Sequence, residues 1–223
     1  MLKIEKFVTA SPEQWEIIIE GMRNPMNSWG KMDSHTSTYG VAEWGEEVYD
    51  VCAIGPNDHS LMMRLANGGP VHAKYRRMIP VWVTLTAPLY WWKEFDTYKV
   101  GTVANSCSTM HKIQAKEFTL EDFSCEHMNQ HSIRALTAVI NQLNAARDEY
   151  LSSKEKDDWW QMIQLLPTSY NQKRTVVLNY EVLHNIYFSR KDHKLDEWHT
   201  FCDWIEELPY SEIIIGEKED TDA

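Results

Sequence analysis

The stretch from Ile79 to Ser108, IPVWVTLTAPLYWWKEFDTYKVGTVANSCS, decides how the fold is read. Its first nine residues, Ile79 to Ala87, alternate in character and are rich in β-branched side chains, the signature of a half-buried strand. Pro88 then precedes LYWWKEF, and its fixed φ and missing amide hydrogen suit the opening of a helix. The residues after it, Asp96 to Ser108, hold small hydroxyl and amide side chains and little that could fill a core. They are expected where a helix ends beside a sheet. Gly101, Thr102, Asn105 and Ser108 permit close backbone approach and donate hydrogen bonds without bulk. Two readings stand: a loop laid along a ligand, or a glycine-containing connection capped by its own side chains.

Upstream, Lys3 to Val8 alternate as a strand, and Ser11, Pro12 and Gln14 form a helix-start signature with a capping-box glutamine. That helix is predicted to run to about residues 21–25, and NPMNSWGKMDSHTSTYG after it reads as a loop. A second helix is predicted over Asn57 to Asn67, stopped by Gly68-Gly69. Downstream, Ile133, Leu136, Ile140, Leu143 and Tyr150 recur at helical spacing between Ser132 and Leu151. Trp159, Met162, Ile163 and Leu166 give a shorter helix before Pro167. Two more are predicted, from Arg174 to about Phe188 and from Leu195 to Leu208. The pattern is α+β: a small, mostly antiparallel sheet covered by helices, with a helix-rich C-terminal half. One domain is expected over residues 1–215, followed by a disordered acidic tail, GEKEDTDA, at 216–223.

A chain of 223 residues, 43% hydrophobic, can bury a sizeable core. Ten Trp and ten Tyr, many beside charged residues, suit amphipathic elements around pockets or subunit interfaces. The formal net charge of −11 argues against wrapping a nucleic-acid polymer, which needs clustered cations, but leaves room for one nucleotide gripped by a few arginines. Cys52, Cys107, Cys125 and Cys202 form no CxxC pair, so a reduced, cytoplasmic setting is expected. No stretch reaches the length of a membrane span. His127-x3-His131 and His199-x-x-Cys202 could each offer two metal ligands, but catalytic zinc takes three protein ligands, and no metal site is assigned. Cys107 reads as a small inert side chain rather than a nucleophile.

Arg174 and Arg190 flank one predicted helix and its exit. Taken alone they are either solvated surface cations or planar forks for a phosphate or a base edge. Between them Asn179 and Asn185 fall inside a predicted helix, where asparagine is unfavourable unless its amide finds partners.

The whole segment LLPTSYNQKRTVVLNYEVLHNIYFSRKDH resembles the C-terminal signature of the flavin-dependent thymidylate synthases, the ThyX family. There, a leucine-proline precedes an arginine, and an asparagine-containing helix leads to a second arginine and a histidine. IPVWVTLTAPLYWWKEF is similar to the strand, alanine-proline and helix before that family's flavin motif, Arg-His-Arg-x-x-Ser-x-Asn-x-x-Ser-x-Arg. In this chain Thr97, Tyr98 and Lys99 stand at the Arg-His-Arg and Thr102 at the first serine. Asn105 and Ser108 match the Asn-x-x-Ser after a one-residue insertion, and Met110 replaces the last arginine. In GGPVHAKYRRM, His72 matches a flavin-side histidine, while an acidic side chain that the family pattern has further on is replaced near Arg77. Ser28 is a looser match.

The resemblance implies a homotetramer that moves a one-carbon unit from methylenetetrahydrofolate to C5 of dUMP or a related pyrimidine nucleotide, with FAD passing a hydride and NADPH as reductant. It implies substrate contacts at Arg174, Arg190, Asn105, Ser108 and Glu94, with Arg190 also catalytic, and flavin contacts at Ser28, His72, Lys99, Thr102, Asn179, Asn185 and His193. The departures at Thr97 to Lys99 and Met110 remove cationic forks, and Lys does not replace Arg where two parallel hydrogen bonds are needed. A second function class therefore stands beside the enzyme: a homologue that binds nucleotide without catalysis and acts as a sensor or interaction protein. A plain helical interaction protein is a third.

Overall fold

Strand β1 (Lys3–Val8) leads to Ser11, which caps helix α1 (Pro12–Arg23) as its sequence predicts. The Ser11 hydroxyl accepts from the Gln14 amide at 3.3 Å and the Gln14 side chain accepts from the Ser11 amide at 2.8 Å, so two amides left open at a helix start are bonded. The computed structural model describes residues 1–39 and 49–216. Apart from Gly216, the expected acidic tail lies outside these.

The segment read as a loop after α1 is partly a strand. Two short 3-10 turns, Asn24–Met26 and Trp29–Lys31, precede β2 (His35–Tyr39), which pairs antiparallel with β3 (Tyr49–Ala53), His35 opposite Ala53. Serines and threonines make HTSTY look like a turn, yet β-branched Thr36 and Thr38 suit a pleated backbone. Helix α2 (Pro56–Asn67) ends where Gly68 donates to the Arg64 carbonyl at 3.0 Å, as expected of the glycine pair.

β4 (Pro80–Pro88) passes directly into α3 (Leu89–Phe95), with Pro88 in extended conformation at the helix cap. Trp91, Trp92 and Phe95 are buried, so LYWWKEF is core. The Leu89 and Tyr90 amides, open at the helix start, donate to the carbonyls of Tyr170 and Thr168, both at 3.0 Å. The polar stretch contains β5 (Val103–Ser106), an edge strand where a connection was expected. The Cys107 amide continues its pairing by donating to the Lys173 carbonyl at 2.9 Å.

Helices α4 (Gln130–Ser153) and α5 (Lys156–Leu165) follow where the periodicity places them. β6 (Asn171–Asn179) corrects the next element: the residues from Arg174 to Asn179 are strand, not the start of a helix. Gln172, Val176 and Leu178 are buried at alternate positions, and Thr175, Val176 and Val177 are stiff at χ1 and favour the pleated form. The helical period belongs only to α6 (Tyr180–Arg190), for which Asn179 is the N-cap rather than an interior residue. α7 (Asp196–Glu206) and a short, unforeseen α8 (Glu212–Ile215) complete the chain.

The fold is α+β with a small antiparallel sheet, strands ordered β1-β4-β6-β5, and a helix-rich second half. Its contacts gather into two compact units. The first comprises Met1–Lys6, Thr84–Thr97 and Ala104–Val176, and the second the described residues of Phe7–Val83, Tyr98–Val103 and Val177–Ala223. In the first, Leu136, Ile140, Leu143 and Ala146 of α4 pack with Met162 of α5 and with Ile113, Phe118 and Phe123. In the second, the Trp15 ring meets Tyr180 and Tyr210 edge-on at 6.1 and 5.4 Å. No helix among the described residues is long and apolar enough to cross a membrane.

Candidate functional site

In the first unit, β6 sets Gln172 and Arg174 two residues apart, hence on one face of the strand. Gln172 is buried, its amide nitrogen donating to the Cys107 carbonyl at 2.8 Å and its side-chain oxygen accepting from Arg174 Nε at 2.9 Å. Trp92 on α3 donates its indole N–H to the Gln172 main-chain carbonyl at 2.9 Å, and the Arg174 guanidinium lies 4.3 Å over the Trp92 ring centre. Asp96, at the end of α3, accepts from Arg174 Nη1 at 2.8 Å. Arg174 is thus held on three sides by a buried aromatic face, a fixed amide and a carboxylate. Neither Trp92, Gln172 nor Asp96 was singled out from sequence.

The other expected substrate residues of this unit are Glu94, Asn105 and Ser108. Glu94 is half-buried on α3 and Asn105 is exposed on β5. The Ser108 hydroxyl accepts from the amides of Met110 and His111 at 3.2 and 2.8 Å, closing a turn in its own loop while its O–H can still donate.

The second unit gathers Tyr98 to Thr102, α6 and the start of α7. Arg190, in the last turn of α6, donates through Nε to the Tyr98 hydroxyl at 2.9 Å, and its guanidinium lies 5.6 Å from the Tyr98 ring centre and 4.8 Å from that of Trp198. The two rings meet edge-on at 6.2 Å. His193 packs its ring 6.3 Å from Trp198 and accepts from the Leu195 amide through Nδ1 at 3.1 Å, so in the neutral imidazole the proton sits on Nε2. Tyr98 was read only as a departure from a histidine; here it holds Arg190. Trp198 carried no sequence signal beyond helical spacing.

Asn179 caps α6, its side-chain oxygen accepting from the Val182 amide at 3.1 Å. Gly101 crosses this cap at φ +81°, where an added Cβ would come within 3.0 Å of Asn179 Nδ2 and 3.2 Å of Val182 Cγ2. The Thr102 hydroxyl beside it in sequence is buried and has no hydrogen-bond partner among the described residues. Lys99 and Asn185 are exposed.

His72 and Ser28 belong to a different part of this unit. His72 is exposed at the rim of an apolar cavity of about 550 Å³ with Met22, Met26, Leu65, Val71 and Met78. Ser28 accepts through both its hydroxyl and its carbonyl from Arg23 Nη1 at 3.3 Å and lines a second cavity of about 350 Å³ with Lys31 and Arg64. Arg23 and Asp58 form a buried ion pair, and Asp58 also accepts from the Asp33 and Ser34 amides at 2.9 and 2.8 Å.

All four cysteines are free thiols. Burial pushes the Cys52 and Cys202 thiols up to about 11 and about 12, which makes them poor nucleophiles. Among the described residues no three His, Cys, Asp or Glu side chains gather as a metal site.

No family model matches the chain, and no curated protein sequence matches it. Solved structures do. A crystal structure of thymidylate synthase X from Helicobacter pylori with FAD and dUMP superposes at TM-score 0.63 with 14% identity, covering 97% of this chain and 96% of that one. A second, of the flavin-dependent enzyme from the same organism complexed with FAD and dUMP, gives 0.59 with 14% identity and 97% coverage of both chains. A UMP/dUMP methylase from Streptomyces cacaoi bound with 5-Br dUMP gives 0.57 with 12% identity, covering 95% and 92%. The likeness is one of fold.

Proposed function

We propose that this protein binds a pyrimidine nucleotide together with FAD and transfers a one-carbon unit to C5 of dUMP or a close relative. The observation that carries the reading is that Arg174 and Arg190 are each immobilised on an aromatic face, in a fold whose solved neighbours were crystallised with FAD and dUMP. A fixed guanidinium loses less freedom on binding than a solvated one and suits planar, charge-assisted recognition.

In this reading Arg174 takes the nucleotide's phosphate and Arg190 donates to a pyrimidine carbonyl. A guanidinium aimed at that oxygen stabilises the negative charge that develops there when C5 reacts. Tyr98 and Trp198 keep the donor in place, and His193, a proposed flavin contact, packs edge-on against Trp198. FAD, when bound, supplies the hydride chemistry, with methylenetetrahydrofolate as carbon donor and NADPH as reductant. The chain's residues fit it: the buried Thr102 hydroxyl, with no hydrogen-bond partner among the described residues, can donate to an acceptor on the ligand, and the apolar cavity beside His72 lies in the size range of about 300–1,000 Å³ common for ligand pockets. Lys99, Asn179, Asn185 and Ser28 complete the proposed flavin contacts, and Asn105, Ser108 and Glu94 the substrate contacts. The homotetramer and the cytoplasmic setting belong to the same proposal.

A second reading, nucleotide binding without flavin chemistry, is favoured by Thr97-Tyr98-Lys99 in place of three cationic or imidazole side chains. The visible absorbance spectrum of purified protein, before and after FAD addition and desalting, separates the two when paired with calorimetric titration of dUMP. Retained flavin with dUMP binding supports the enzyme; dUMP binding without flavin supports the second reading. Loss of both overturns the proposal.

A further inference from the structure

We propose that Asp96 sets the charge selectivity of the Arg174 site by holding the place of an anion on its guanidinium. The inference rests on Arg174 being a nucleotide contact.

Three observations lead to it. Arg174 is only 13% exposed, whereas its partner Asp96 is 48% exposed, so the acid is the solvent-facing member of the pair, the one an incoming ligand can replace. The arginine's orientation does not depend on Asp96, because Nε is fixed by Gln172 and the plane rests on Trp92. Gln172 is itself anchored through the Cys107 carbonyl. Finally, Asp96 is the C-cap of α3, where the helix dipole disfavours a carboxylate, so the helix gives no reason for an acid there. Arg174 does.

The consequence is a guanidinium that is pre-oriented yet already neutralised. A ligand bearing a phosphate dianion must displace Asp96 and meet its charge nearby, which discounts the phosphate's contribution to affinity. A ligand presenting a neutral group suffers no such repulsion. Asp96 is therefore a specificity-determining residue, tuning the site away from indiscriminate phosphate capture and toward ligands whose base supplies the recognition.

The experiment is calorimetric titration of dUMP and of deoxyuridine into the full chain, comparing the unaltered protein with Asp96→Asn, Asp96→Glu and Arg174→Ala. Asp96→Asn is expected to tighten dUMP at least about tenfold, the scale of one charge-assisted hydrogen bond, while leaving deoxyuridine unchanged. Asp96→Glu should restore the weaker dUMP binding, and Arg174→Ala should abolish the difference between the two ligands. Should Asp96→Asn not fold, Asp96→Ala carries the same expectation. Equal dUMP affinity with and without the carboxylate, or tightening of both ligands alike, overturns this inference alone. Failure of the unaltered protein and of every Asp96 variant to bind dUMP overturns it together with the nucleotide reading.

Discussion

The guanidinium of Arg190 lies 4.8 Å from the centre of the Trp198 ring while its Nε donates to the hydroxyl of Tyr98. One side chain orients the cation by a face and the other by a lone pair, so the two contributions can be removed separately. Arg190→Ala is expected to weaken dUMP binding by about 1.5–3 kcal/mol, the loss of a hydrogen bond from a charged donor. Tyr98→Phe keeps the ring and removes only the acceptor, so about 0.5–1.5 kcal/mol is expected. Calorimetry on both variants decides it; unchanged affinity in both takes Arg190 out of the site.

Lys99 is exposed. Lys99→Ala should lower the flavin retained after desalting while shifting stability by no more than about 0.5 kcal/mol, as for an ordinary surface substitution. Full flavin occupancy in the variant would remove Lys99 from the proposed cofactor contacts.

Gly101 sits at φ +81° with its α-carbon facing the Asn179 amide. Gly101→Ala combines a left-handed backbone, costing about 1–2 kcal/mol for a residue with a Cβ, with contacts that Asn179 and Val182 must yield to accommodate. A lowered urea midpoint with an unchanged slope is the expected result. If the variant is as stable as the parent, the backbone at 101 is not held as described.

His184 on α6 lies with Nδ1 2.6 Å from the Ile214 carbonyl oxygen, which only accepts, so Nδ1 carries the proton. Burial lowers its pKa below the ordinary histidine value, reinforced by Arg76 and opposed by the Ile214 hydrogen bond and by Glu181. The unfolded chain then binds a proton that the folded chain refuses. Above about pH 6.5 this residue has no effect on stability; as the pH falls from there toward the folded pKa, stability is lost. Denaturation across pH 7 to 5 should show that loss, and His184→Gln should flatten its share of it.

Local chemistry made much of this fold legible. Ser11, Pro12 and Gln14 announced α1, and Pro88 announced the turn from β4 into α3, because caps and prolines act on their own few residues. Arg174 to Asn179 was misread because Val176 and Val177 fit the helical period of α6 as well as the strand, and only pairing within the sheet chooses between them. Arg174 and Arg190 carried a signal in the sequence, but the residues that hold them in the structure did not. Asp96 and Arg174 are 78 residues apart, Tyr98 and Arg190 are 92 apart, and spacing of that length carries no periodic signal.

Asn179 ends β6 and caps α6 with no residue of slack between them. One added residue within the second half of β6 could not be taken up by a loop. It would either slip the strand, sending Arg174 to the opposite sheet face, or turn α6 by about 100° about its axis and swing Arg190 from its aromatic seat. The junction therefore works as a ruler that counts residues, and length there is as strictly constrained as identity.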